Sequence, residues 1–148
     1  MSSAVTDVAF HFGAPDKVAY AVRLLRKAVG TGVRVLVVAD GGQLARLDAA
    51  LWASASTDFF VHCYAHAPAQ ELILSPVVLS VYDGASTCPA LDVLVNLGQA
   101  MPQSVDRHRR VIEVVSTEEE DRILARQRWR NYVAQGFAPD SKDLNLRS

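Results

Sequence analysis

Val33-Arg34-Val35-Leu36-Val37-Val38-Ala39 is a nearly continuous apolar run, bounded by Gly30-Thr31-Gly32 and Asp40-Gly41-Gly42. A run so short and so rich in β-branched residues reads as a strand covered on both faces. Leu91-Asp92-Val93-Leu94-Val95-Asn96-Leu97 repeats the pattern. Strands buried on both faces belong to a parallel sheet between helix layers, which confines the chain to an open α/β architecture.

The segments around these runs agree. Val5–Phe12 is a first strand, turned by Gly13-Ala14-Pro15. Pro15 suits a first helical position and Asp16 a first turn. Val18, Val22, Leu25 and Val29 repeat at helical spacing, and Gly30 to Gly32 stop that helix. Gln43 to about Trp52 forms a second helix with Leu44, Leu47 and Leu51 inward. Phe59-Phe60-Val61-His62 is a short strand, and Tyr64–Glu71 reads as irregular. Leu72–Leu74 and Val77–Val81 are strand-like, broken by Ser75-Pro76. Tyr82–Ala90 and Gly98–Asp106 are loops, and Arg109–Val115 is a last strand. Strand and helix alternate, so right-handed crossovers build a Rossmann-like, open, mostly parallel sheet with helices on both faces. The 148 residues read as one domain, with 138–148 a polar, loosely held C-terminal tail.

Composition excludes several classes. A net charge of −1 gives no general attraction to nucleic acid or membrane. The apolar runs are too short to span a bilayer, and the N-terminus has no secretory pattern. Two cysteines make no disulfide framework and fit a reduced, cytoplasmic setting.

The stretch Ser116 to Phe137 reads as one helix. Ser116 and Thr117 stand three residues before Glu119 and Glu120, at capping-box spacing, and Gly136 is its C-cap. Arg122, Arg126, Trp129 and Val133 fall at spacings of four, three and four, forming one line down the helix. Guanidinium groups beside an indole suit a ligand with negative charge and an apolar end. The same pattern also fits a packing helix whose arginine stems cover apolar surface.

Motifs for catalysis are lacking. Neither G-x-x-x-x-G-K-[ST] nor G-x-G-x-x-G occurs. Asp40-Gly41-Gly42 is the one turn where a small nucleotide-using enzyme would place a site, and backbone geometry alone explains its two glycines. His62, Cys63, His66 and Cys88 lack the paired spacing of a zinc site. Asp92, inside an apolar strand, is expected to bond neighbouring backbone. Arg107, Arg109 and Arg110 with the arginine helix would serve direct nucleic-acid binding, against which the net charge argues. Trp52 and Phe59-Phe60 read either as interface anchors or as core.

Taken together, R-L-D-A-A-L-W-A (46–53), F-F-V-H (59–62), P-V-V-L (76–79), L-D-V-L-V-N-L (91–97), R-V-I-E-V-V (110–115) and A-R-Q-R-W-R-N-Y-V-A-Q-G-F (125–137) resemble the chi subunits of bacterial DNA polymerase III holoenzyme. The resemblance covers nearly the whole chain. It implies a Rossmann-like domain without a nucleotide site, cofactor, metal or catalytic residue of its own. It implies an adaptor in the clamp-loader assembly, working in the cytoplasm at the replisome. One partner would be the acidic C-terminal tail of single-stranded DNA-binding protein, ending in Pro-Phe. Carried over residue by residue, Arg126 meets the tail's terminal carboxylate, Arg122 and Arg130 its upstream aspartates, and Val115 and Trp129 its Phe ring, with Gly136 close by. The psi subunit would meet Trp52 and Phe59, with Phe60 nearby. The family's Phe-Val-Pro-His lacks its Pro here, so that surface is left to psi, a divergent substitute or a helicase. No direct contact with nucleic acid or membrane is implied.

Overall fold

The computed structural model describes residues 6–53, 62–83 and 91–144. Among them are seven strands and four α-helices, in the order β1 (Asp7–Ala14), α1 (Lys17–Gly30), β2 (Val35–Val38), α2 (Gly41–Ala53), β3 (His62–Tyr64), α3 (Ala69–Leu74), β4 (Val77–Ser80), β5 (Val93–Asn96), β6 (Arg110–Ser116), α4 (Glu119–Ala134) and β7 (Asp140–Asp143). A 3₁₀ turn, Val105–Arg107, precedes β6. The strands form one sheet in the order β3-β4-β2-β5-β6-β1-β7. Every pairing is parallel.

The apolar runs are strands for the reason their composition gives. Val35, Leu36 and Val37 are consecutive and each is 0% exposed, so both faces at β2 are covered. Alternation sends Val35 and Val37 to the face packed by Leu25 of α1 and Leu44, Leu47 and Leu51 of α2. Leu36 goes to the other face, with Val111, Val115 and Tyr132 of α4. Each fully buried leucine contributes on the order of 1.5–3 kcal/mol. The chain winds from β1 towards β3 through α1 and α2, then returns towards β7 through α4. Right-handed crossovers in opposite directions put helices on opposite faces.

Several boundaries differ from the sequence expectations. Asp16 is the N-cap of α1, accepting from Val18 N and Ala19 N, rather than a first-turn residue. Tyr64 belongs to β3. Residues 69–74, expected to be irregular and then strand-like, form the helix α3. It buries no residue fully, so no apolar stripe marks it. The polar tail supplies β7, which joins the sheet through backbone pairing to β1. Gly41 and Gly42 open α2 with no positive φ, so backbone geometry does not demand glycine there.

Asp92 behaves as its setting requires. Its carboxylate accepts from Arg34 N at 3.0 Å and ties the approach to β2 to that of β5.

Candidate binding groove on the arginine helix

The helix α4 starts later than its serine and threonine suggest. Its N-cap is Glu118, with no side-chain cap bond. The capping boxes expected at Ser116 and Thr117 do not set the start. Instead Asp121 reaches back and accepts from Ser116 N at 2.8 Å. The C-terminus closes on Gly136 at φ +98. Gly136 N donates to Val133 O and Phe137 N to Tyr132 O, both at 3.0 Å, the paired bonds of a Schellman turn. The Phe137 ring meets Tyr132 edge-on, completing that turn's apolar contact.

The face of α4 turned to the sheet carries Asp121, Ala125, Arg128 and Tyr132. Two of these are charged, and both are paired. Arg128 Nε donates to Glu113 Oε1 at 2.9 Å, and Arg128 Nη1 to Gln99 O at 2.9 Å. Tyr132 Oη donates to Glu113 Oε2 at 2.7 Å, and Asn96 Nδ2 to Oε1 at 3.0 Å. Burial pushes the Glu113 carboxyl above its ordinary range, against the opposing pull of the Arg128 guanidinium. Sequence reasoning missed Arg128, because one arginine among the four of α4 shows no sign of burial when its partner, Glu113, lies on β6.

One residue further round the helix, the line Arg122, Arg126, Trp129 faces a groove of about 390 Å³. Phe10, Phe12, Val115, Ala125 and Trp129 supply its apolar lining, Arg122, Arg126 and Arg130 its charge. The Trp129 ring packs 5.0 Å from Phe10 and is thereby fixed as a wall. Arg122 has one loose ion pair, to Glu119 at 3.9 Å, with both side chains exposed. Arg126 and Arg130 have no ion pair among the described residues. Free guanidinium groups above an aromatic floor can grip a carboxylate while a ring enters below.

Five of the six tail-site residues named from the sequence therefore line one groove. Gly136 does not; it terminates the helix. Val133 is 53% exposed and lies off the lining. Phe10, Phe12 and Ser141 line the groove but were not foreseen. The signal for the two phenylalanines was their alternation with Val8 on β1.

At the opposite edge of the sheet, Trp52 is 59% exposed at the end of α2. Its ring lies 5.1 Å from that of His62, whose Nε2 meets Asp48 Oδ1 at 2.7 Å. Ile73 and Leu74 of α3 are also exposed. Phe59 and Phe60 lie outside the described residues, as does Cys88. Among the described residues no His, Cys, Asp or Glu group is arranged to hold a metal.

The Asp40-Gly41-Gly42 turn borders a crevice of about 550 Å³ at the carboxyl ends of β2, β4, β5 and β6. Nucleotides favour such places in open α/β sheets. Here the chain's own side chains occupy the helix ends. Gln43 N donates to Asp40 Oδ1 at 2.7 Å, and Asp40 N to Gln43 Oε1 at 3.2 Å, a reciprocal cap on α2. At the first turn of α4, Asp121 takes the place an anion would seek and is bridged by Lys17 at 3.0 Å. Asp83 accepts from Gln103 N, Ser104 N and Ser104 Oγ.

Comparison with known proteins agrees with the fold. The family model "DNA polymerase III chi subunit, HolC" matches residues 5–140. The chain is 35% identical over 118 residues to "DNA polymerase III subunit chi" of Pseudomonas aeruginosa, covering 79% of each chain. No helix among the described residues is long and apolar enough to cross a membrane. The all-parallel Rossmann-like sheet, the arginine helix closing on Gly136 and the match across nearly the whole chain lead to one conclusion: this protein belongs to the DNA polymerase III chi subunit family.

Proposed function

We propose that this chain is a non-catalytic adaptor of the replisome, acting in the cytoplasm where the replisome holds it to the nucleoid. Its α4 groove receives the acidic C-terminal tail of single-stranded DNA-binding protein. Its Trp52 edge, with Phe59 and Phe60, receives psi, an equivalent clamp-loader subunit or a helicase. The observation that carries the reading is the groove: Arg126 and Arg130, without an ion pair among the described residues, stand over a floor of Phe10, Phe12 and Val115 beside Trp129. Arg126 takes the terminal carboxylate, Arg122 and Arg130 the upstream aspartates, and Trp129 and Val115 the terminal ring. Filled helix ends at the crevice speak against the rival reading of a nucleotide-using enzyme, since a phosphate there would displace Asp40 or Asp121.

The test is a titration with the tail peptide, with and without its terminal Phe. Binding in roughly the micromolar range is expected, weakening with salt because the charges are exposed. Arg126→Ala costs about 1–3 kcal/mol, the loss of charge-assisted hydrogen bonds. Removing the terminal Phe weakens binding as well. Equal affinity of the two peptides would defeat the assignment of the groove. Trp52→Ala leaves tail binding intact and weakens capture of the clamp-loader partner.

A further inference from the structure

On the face of the sheet opposite α4 lies a second groove, of about 510 Å³, along α1 and across β5, β6, β1 and β7. Its rim carries Arg23 and Lys27 from α1, Arg110 from β6 and Lys142 from β7, all exposed. Among the described residues, none of the four forms an ion pair and no acidic side chain lines the groove. Asp7 is in strand register with Arg110 yet makes no ion pair with it. The floor is aliphatic, with Val33, Val93 and Leu24 partly accessible over Ile112. In a protein of net charge −1, an apolar cleft rimmed by one sign of charge is a local asymmetry.

The field of these cations is felt inside the groove. The His11 imidazole is lowered to about 4, first by burial and then by Lys142 and Arg110. It stays neutral and meets Tyr20 Oη at 2.6 Å.

We propose that this groove is a second docking site, for an acidic segment of a partner protein that bears aliphatic side chains. Charge complementarity selects the acidic character, and the valine and leucine floor selects the aliphatic one. Single-stranded nucleic acid fits less well, because it binds by stacking bases on free aromatic faces. Tyr20 is the aromatic residue of phenol type here; its hydroxyl is held by His11 and its ring lies 5.7 Å from the Arg23 guanidinium carbon. An anionic membrane would need apolar side chains that protrude, whereas these form a concave floor. The site is separate from the α4 groove. Ser141 lines that groove and Lys142 this one, adjacent β7 residues on opposite faces.

The probe is a short peptide of alternating Asp and Leu, acetylated and amidated, with no aromatic residue and no free carboxyl terminus. It lacks what the α4 groove is proposed to grip, so the two assignments stand or fall apart. Methyl resonances of Val33, Val93 and Leu24 should shift on its addition. The pair Arg23→Glu and Lys142→Glu should weaken binding by about tenfold or more, while Arg126→Ala leaves it unchanged. Lys27→Glu with Arg110→Glu is the independent second pair, and matching melting temperatures certify the fold of both. Unchanged affinity in both pairs, shifts confined to Val115 and Trp129, equal binding of an all-Asp peptide, or tighter binding of oligothymidylate or anionic vesicles at the same methyls would each overturn the proposal.

Discussion

Arg128→Ala is expected to cost about 3–5 kcal/mol of folding stability, because it leaves a buried carboxylate without its counter-charge. Glu113 is 0% exposed and Arg128 2%. Their bond at 2.9 Å joins β6 to α4, and the same guanidinium holds the Gln99 carbonyl in the loop after β5. Without it, Glu113 retains only Asn96 and Tyr132 as donors among the described residues. Burial already raises the Glu113 pKa, and removing the opposing Arg128 raises it further. A raised carboxyl is favoured in the fold when protonated, so stability falls as pH rises through the folded-state value. The variant is therefore weakest near neutral pH and recovers as the solution is acidified towards Glu113 protonation. Replacing both members, with Arg128→Met and Glu113→Leu, should be far milder than either single change, since burying two apolar groups avoids the unpaired charge. Urea unfolding of wild type, Arg128→Ala, Arg128→Met, Glu113→Leu and the double variant at two pH values checks this. A single-variant loss below about 1 kcal/mol would mean that water reaches the pair and the ion pair is solvated.

The Arg128 pair also shows where sequence reasoning stops. What the residues declare on their own is burial on both faces of a strand and periodicity on a helix. Hence β2, β5, β6, α1 and α2 could be read directly, and so could the line Arg122, Arg126, Trp129, where an indole among arginines has no place on a plain solvated face. Other elements are set by partners distant in sequence. β7 reads Asp-Ser-Lys-Asp and enters the sheet through backbone bonds to β1, which no side-chain pattern announces. α3 packs Leu72 against the core but leaves Ile73 and Leu74 exposed, so its apolar residues do not mark one buried face. Ser116 and Thr117 at capping-box spacing suggest an earlier start for α4, but Asp121 takes the Ser116 N–H and the helix begins after Glu118. The α4 groove needs Phe10 and Phe12 beside Val115, a proximity created only when β1 pairs with β6.

Asp121→Asn should lower stability at neutral pH by about 2–4 kcal/mol, since it removes the negative end of a three-way clasp. Asp121 Oδ1 accepts from Gln99 Nε2 at 3.2 Å, Oδ2 from Ser116 N at 2.8 Å, and Lys17 Nζ lies 3.0 Å from Oδ2. The first residue of α1, the loop after β5 and the entry to α4 thus meet on one carboxylate. Its loss leaves Lys17, 11% exposed, with the Leu97 carbonyl at 2.7 Å and no counter-charge. Burial alone would raise the Asp121 pKa, but the Ser116 N–H, Lys17 and Gln99 outweigh it and hold the carboxyl below its ordinary 3.8. A lowered carboxyl stabilises the fold above the unfolded-state value, and that stability is lost as pH falls through the folded-state value. Wild type should therefore lose stability on acidification below about pH 4, while Asp121→Asn loses less over the same window, so the two curves converge. Parallel curves would show that the carboxylate is not the titrating clasp. Because Arg126 lies more than a turn further along α4, tail binding at neutral pH should fall less in Asp121→Asn than in Arg126→Ala, separating the hold on the helix from the grip on its ligand.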